Sequence, residues 1–445
     1  MKTHTAFLLC SALALGGCAT QNEIAQSPAK AIVTPNSNVP AQDKLKRYYT
    51  IPNFRIGGKY DLDANPETWR NGGEGGTTLE SLGSGPLQAA YIAVGTPRRN
   101  DKGEIINAII ISTFYSGDST WMYNTWYHEQ PNNGFSGGAV VGPGLTIDTD
   151  KYYVVFLDAL GLWGASKPSH GLGRRFPQYN YMDMVVANYR LLRDHLNIAQ
   201  VHLATGVSMG ATQTWVWGVM YSKSGFVKAI MPIGGATASD GSDPVGQWTF
   251  RLAQAAIESD PNWRATNGDY YHLPKEKHPN KGMQFMWSTL QLTGLTFPVR
   301  SATPWKNLQR EVFYWEPKGD ETAAFIGRVQ SEDAVDYWYR NNAGFNHNIN
   351  DELKRIQART LVVHVENDQW LIVENARKAA AAVPGAQIAV LSDPGAHYGV
   401  FRAPNVLKDT IGAFIEDRFT PSLPGLGGGN RGGGAAPGKP AGLAK

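Results

Sequence analysis

Short runs of uninterrupted apolar residues recur along the chain, separated by stretches in which apolar residues return every three or four positions. The runs are Leu87–Val94, Asn107–Ser112, Tyr152–Leu157, Val201–Thr205, Ala229–Ile233, Thr360–Val365 and Gln387–Leu391. Apolarity without alternation predicts strands covered on both faces, because a strand with one face in water shows a polar residue at every second position. The turn Asp101-Lys102-Gly103 separates the first two runs. From Tyr181 to Leu196, Met184, Val185, Ala187, Leu191 and Leu192 recur with charges between them, and Glu374 to Val383 is Ala-rich and unbroken until Pro384. Both stretches predict helices. Strands alternating with helices predict an α/β fold: a mostly parallel sheet with helices on both faces. Between residues 239 and 357 the alternation lapses into helical, aromatic-rich sequence that includes Trp248, Trp263, Trp287, Trp305, Trp315 and Trp338. This predicts a helical lid inserted between two parts of the sheet domain, 49–238 and 358–420.

The two ends have a different character. Met1-Lys2 and the apolar run from Ala6 to Leu15 predict an export signal too short to span a bilayer. Leu15-Gly16-Gly17-Cys18 resembles the bacterial lipobox, in which the cysteine is acylated and becomes the new N-terminus. Ala19 rather than aspartate follows, which favours an outer-membrane lipoprotein facing the periplasm. Residues 19–48 are dominated by Gln, Asn, Pro, Ala and Ser and read as a flexible tether. Residues 421–445, with two Gly-Gly-Gly triplets, read as a disordered tail. Cys10 and Cys18 are the only cysteines, so after signal removal a disulfide, a thiolate metal site and a cysteine nucleophile are excluded. The 41 Lys and Arg nearly balance the 38 Asp and Glu without forming a basic stripe, so no nucleic-acid partner is expected. The histidines form no HExxH pair, and neither a metal nor another cofactor is expected.

One motif carries chemistry. Gly206-Val207-Ser208-Met209-Gly210 matches G-x-S-x-G, preceded by the strand Val201–Thr205 and followed by a helix from Ala211 through Met220. That is the context of a nucleophile elbow, in which a sharp strand-to-helix turn exposes a serine at the carboxyl edge of the sheet. In the α/β-hydrolase fold an acid and then a histidine follow the serine in chain order. Asp368 stands just past the strand Thr360–Val365, with Glu366 a rival two residues away, and His397 stands just past Gln387–Leu391. His397 would act as general base and acid, and Asp368 would fix its tautomer. The oxyanion hole is expected from the N–H of Met209 and from the loop after Asn107–Ser112, at Tyr115 or its neighbour Phe114.

From about residue 85 to 415 the chain resembles the homoserine O-acetyltransferase family. The resemblance rests on Tyr115-Ser116-Gly117-Asp118-Ser119, Ile147 to Tyr152, the elbow, Ala256 to Trp263, and the loops of Asp368 and His397. It implies a helical lid over a Ser/Asp/His site, and it leaves a homodimer open. Two family positions depart. The acetyltransferases carry an arginine that grips the amino-acid carboxylate where this chain has Trp287, and an aspartate after the catalytic histidine where it has Tyr398. An indole cannot replace a bidentate cation, so homoserine should bind poorly. The expected activity is therefore hydrolysis of a small-molecule carboxylic ester through an acyl-enzyme on Ser208, with Phe114, Phe285 and Trp287 as pocket residues. The alternatives are O-acyl transfer to an alcohol and, in a different class, a non-catalytic ligand-binding lipoprotein.

Overall fold

The computed structural model describes residues 45–418 apart from Leu162, Leu295 and residues 303–331. The export signal, Cys18, most of the tether, Trp305, Trp315 and the tail at 421–445 lie outside the described residues. Eight strands form the central sheet: β1 (Arg47–Ile51), β2 (Leu87–Gly95), β3 (Ala108–Ser112), β4 (Tyr153–Leu157), β5 (Val201–Val207), β6 (Ala229–Ile233), β7 (Arg359–Val365) and β8 (Gln387–Leu391). Their order across the sheet is β1-β2-β4-β3-β5-β6-β7-β8. β2 pairs antiparallel with both β1 and β4, and every pairing from β4 to β8 is parallel.

Successive residues of a strand face opposite sides, and here both sides are dry. In β3, Ile110 joins one core while Ile109 and Ile111 join the other. The first core is closed by α2 (Tyr181–Arg190) and α3 (Met209–Tyr221), through residues such as Met184 and Trp215. The second is closed by α1 (Ser119–Trp126), through Met122 and Trp126. This three-layer arrangement is why the strands read as continuous apolar runs.

The lid lies between β6 and β7. Its described helices are α4 (Pro244–Ser259), α5 (Pro261–Thr266), α6 (Asn280–Gly294), α7 (Phe297–Ala302) and α8 (Ala334–Phe345). After β7 come α9 (Val373–Ala382) and, following β8, α10 (Lys408–Ile415). Among the described residues no helix is long and apolar enough to cross a membrane.

One boundary shifts. β1 begins at Arg47, inside the stretch read as tether, and pairs with β2 from Arg47↔Tyr91 to Ile51↔Leu87. The buried ammonium of Lys46 anchors its start, 2.5 Å from Asp118 and 3.1 Å from Asp158. Only Ile51 of the strand is buried, so no apolar run announces it.

Candidate active site

The elbow is built by steric necessity at its two glycines. A Cβ on Gly210 would stand 2.2 Å from the carbonyl oxygen of Ser112, and one on Gly206 would stand 2.7 Å from the carbonyl oxygens of Gly210 and Ser112. The close approach lets α3 start directly against the end of β3. Ser208 itself has φ 55° and ψ −121°, a strained conformation for a residue with a side chain. Its N–H donates to the Ile233 carbonyl at 3.0 Å, which ties the turn to β6.

The structure brings Ser208, His397 and Asp368 together from three separate loops. His397 Nε2 lies 2.8 Å from Ser208 Oγ, and His397 Nδ1 lies 2.6 Å from Asp368 Oδ2. The other carboxylate oxygen accepts from the backbone N–H groups of Trp370 and Leu371, at 2.8 and 3.0 Å. An ionised carboxylate can only accept, so Nδ1 carries the proton, which leaves Nε2 unprotonated and facing the serine hydroxyl. Burial would raise the Asp368 carboxyl, but the His397 imidazole hydrogen-bonded to it, helped by the Leu371 N–H, holds the group below the ordinary carboxylate range. The rival acid is elsewhere: Glu366 forms an exposed ion pair with Arg377 at 2.8 Å. His364, inside β7, is a buried core residue whose Nδ1 accepts from the Val365 N–H at 3.0 Å.

Ser208 and His397 open into a narrow cavity of about 60 Å³, room for a few water molecules. Among the described residues its walls include Tyr115, Met209, Phe250, Leu290, Trp370 and Leu371, and His397 is the sole imidazole, carboxylate or cation in the lining. Trp370 tilts over the imidazole with ring centroids 4.6 Å apart. Met209 opens α3, where the first N–H groups have no intrahelical acceptor. Tyr115 lies in the loop after β3, and its phenol donates to Asn341 Oδ1 at 2.6 Å.

Three residues read from the sequence as pocket residues are not among the described residues lining this cavity. Phe114 packs edge-on against Trp121 at 4.6 Å and Phe401 at 5.0 Å, in the core beneath the site. Phe285 is 42 % exposed on the lid surface. Trp287 meets Tyr115 edge-on at 6.3 Å and donates through Nε1 to Glu332 at 2.6 Å. Phe285 and Trp287 are two apart on α6, and positions two apart on a helix point to opposite sides. The apolar walls fall instead to Phe250 on α4 and Leu290 on α6. Nothing in their spacing distinguishes them from ordinary lid packing. Trp370 was legible in part, since it belongs to the loop that carries Asp368.

Comparison with known proteins bears on this geometry. No protein-family model matches the chain. A homoserine O-acetyltransferase of Rhodospirillum rubrum is 33 % identical over 237 residues, which are 51 % of this chain and 55 % of that protein. A probable esterase of Corynebacterium glutamicum is 24 % identical over 326 residues, 70 % of this chain and 84 % of the other. Among solved structures, an acetylester hydrolase from Corynebacterium glutamicum superposes with a TM-score of 0.64, covering 85 % of this chain and 99 % of that one at 19 % identity. The chain has the α/β-hydrolase fold and is similar in sequence to homoserine O-acetyltransferases and to a probable esterase. A homoserine O-acetyltransferase from Bacillus anthracis superposes with a TM-score of 0.63 over 83 % of this chain and 97 % of that one, at 17 % identity. At such identities the structural likeness carries the fold. The proteins it is similar to are named for hydrolysis and for acyl transfer, so the likeness does not choose between the two reactions.

Proposed function

We propose that this α/β-hydrolase cleaves small-molecule carboxylic esters through an acyl-enzyme on Ser208. The observation that carries the reading is the unbroken chain from Asp368 through His397 to Ser208 Oγ, at 2.6 and 2.8 Å. His397 takes the serine proton as Oγ attacks the ester carbonyl, and returns it to the departing alkoxide. Asp368 holds the imidazole in the required tautomer and stabilises the imidazolium. The carbonyl oxygen becomes an oxyanion, received by the N–H groups of Met209 and Tyr115. Water, deprotonated by His397, then releases the acid.

The narrow cavity supports a short acyl group. Among the described lining residues there is no carboxylate, lysine or arginine, and Trp287 stands where the acetyltransferases it resembles carry a carboxylate-gripping arginine; both argue against an amino-acid acceptor. Acyl transfer to an alcohol is the second reading, favoured by the Rhodospirillum rubrum relative's name. The two part at the acyl-enzyme, which water or an alcohol can intercept. Turnover of p-nitrophenyl acetate with an added alcohol separates them: free acid as the main product supports hydrolysis, and ester exchange outpacing acid release overturns it. The lipobox-like segment around Cys18 supports placing the enzyme at the cell envelope on a lipid anchor.

A further inference from the structure

Arg340 stands in the middle of α8 with 2 % of its surface exposed. A buried guanidinium is costly unless a counter-charge meets it. Asp336, one turn earlier, is already engaged by Lys167 Nζ at 3.0 Å and by the amide and hydroxyl of Ser169 at 2.8 and 2.7 Å. Arg340 instead donates from Nη1 to the Tyr115 carbonyl at 2.6 Å and from Nη2 to the Gly161 carbonyl at 2.8 Å. Its guanidinium carbon lies 4.4 Å from the ring centre of Tyr337 and 5.4 Å from that of Tyr115. The next residue, Asn341, accepts the Tyr115 phenol at 2.6 Å. Consecutive residues of a lid helix thus grip both ends of one residue in the core, its carbonyl and its side chain.

Tyr115 needs such a grip. Upstream, Thr113 is fixed by its N–H to the Leu157 carbonyl at 3.2 Å and by its carbonyl to Gln213 Nε2 at 3.0 Å. Downstream the loop is closed by Gly117 N–H to the Phe114 carbonyl at 3.4 Å. Tyr115 sits between these ties, past the end of β3, where no strand ladder sets its orientation. An oxyanion donor displaced by about 1 Å loses much of its effect on rate.

We infer that Arg340 and Asn341 are positioning residues for acyl-enzyme formation, holding Tyr115 so that its N–H faces the oxyanion and its ring walls the cavity. The inference rests on the serine-hydrolase reading above. It also makes completion of the site depend on the lid, since α8 belongs to the insertion and Tyr115 to the core.

The test uses the full chain with Arg340→Gln, Arg340→Lys and Asn341→Ala, followed by steady-state kinetics on p-nitrophenyl acetate and by thermal unfolding. Folded Arg340→Gln should lose about tenfold or more in kcat with KM within about twofold, because donor alignment matters to the transition state more than to ground-state binding. Arg340→Lys should recover part of that loss, and Asn341→Ala should lose about threefold in kcat. Unchanged kcat in the folded variants, or a rise in KM with kcat intact, overturns the inference. If Arg340→Gln does not fold, Asn341→Ala decides, and unchanged kcat there overturns it. Absence of turnover and of Ser208 labelling in the wild type would overturn the hydrolase reading itself, whereas wild-type turnover with unaffected variants overturns only the role of Arg340 and Asn341.

Discussion

Two residues in the described chain show how burial sets charge. Asp368 is kept ionised by the imidazole it orients, so Asp368→Asn should preserve the fold and lose about four orders of magnitude in kcat through the wrong tautomer. Steady-state kinetics on a folded variant checks this; a loss below about tenfold would remove Asp368 from the mechanism. His347, at the end of the lid, has no such partner. Burial pushes it down to about 3 against an ordinary value of 6.5, opposed only in part by Asp240. The sign follows. Between about pH 6.5 and 3 the unfolded chain takes up a proton that the folded chain refuses, so this residue costs stability progressively as the pH falls, by up to about 1.4 kcal/mol per pH unit. His347→Gln should therefore show a flatter decline of unfolding free energy below pH 6.5 than the wild type. Parallel slopes in denaturant titrations at pH 7, 6 and 5 would contradict it.

At the scale of elements, the elbow is a tight construction of backbone against backbone. Gly210→Ala pushes a methyl into the Ser112 carbonyl and should destabilise the chain by about 3 kcal/mol, measurable as a fall in the denaturation midpoint; an unchanged midpoint would mean that α3 does not abut β3 as described. Such local constraints explain what could be read from the sequence. Strands buried on both faces announce themselves by apolarity, and β6 and β8 have the bounds that their runs suggest. The elbow motif with its flanks pointed to Ser208, and the positions of Asp368 and His397 after strands brought them to the same edge. β1 was illegible because it is held by backbone pairing and by Lys46, whose acids lie 72 and 112 residues away. Pocket walls were illegible for a related reason: whether an aromatic lid residue faces the cavity depends on helix rotation, and Phe285 and Trp287 read alike in sequence while one is exposed and the other buried. Arg340 carried no signal at all, since its partners are backbone carbonyls of remote loops.

At the scale of the whole molecule, a lid inserted between β6 and β7 closes over the site and leaves little room beside the nucleophile. Rates on p-nitrophenyl esters should therefore fall as the acyl chain lengthens from acetate to octanoate, and a maximum at the long chain would contradict the narrow cavity. Anchoring belongs to this scale as well: palmitate labelling of the expressed chain should disappear in Cys18→Ser, and labelling that survives would refute the anchor. The central claim is that Ser208 is a nucleophile activated by His397. It is tested most directly by treating the folded full-length protein with a fluorophosphonate and mapping the adduct by peptide mass. The account predicts a single adduct on the peptide containing Ser208, absent in Ser208→Ala and strongly slowed in His397→Ala; no adduct on the folded wild type, or one that persists in Ser208→Ala, would contradict it.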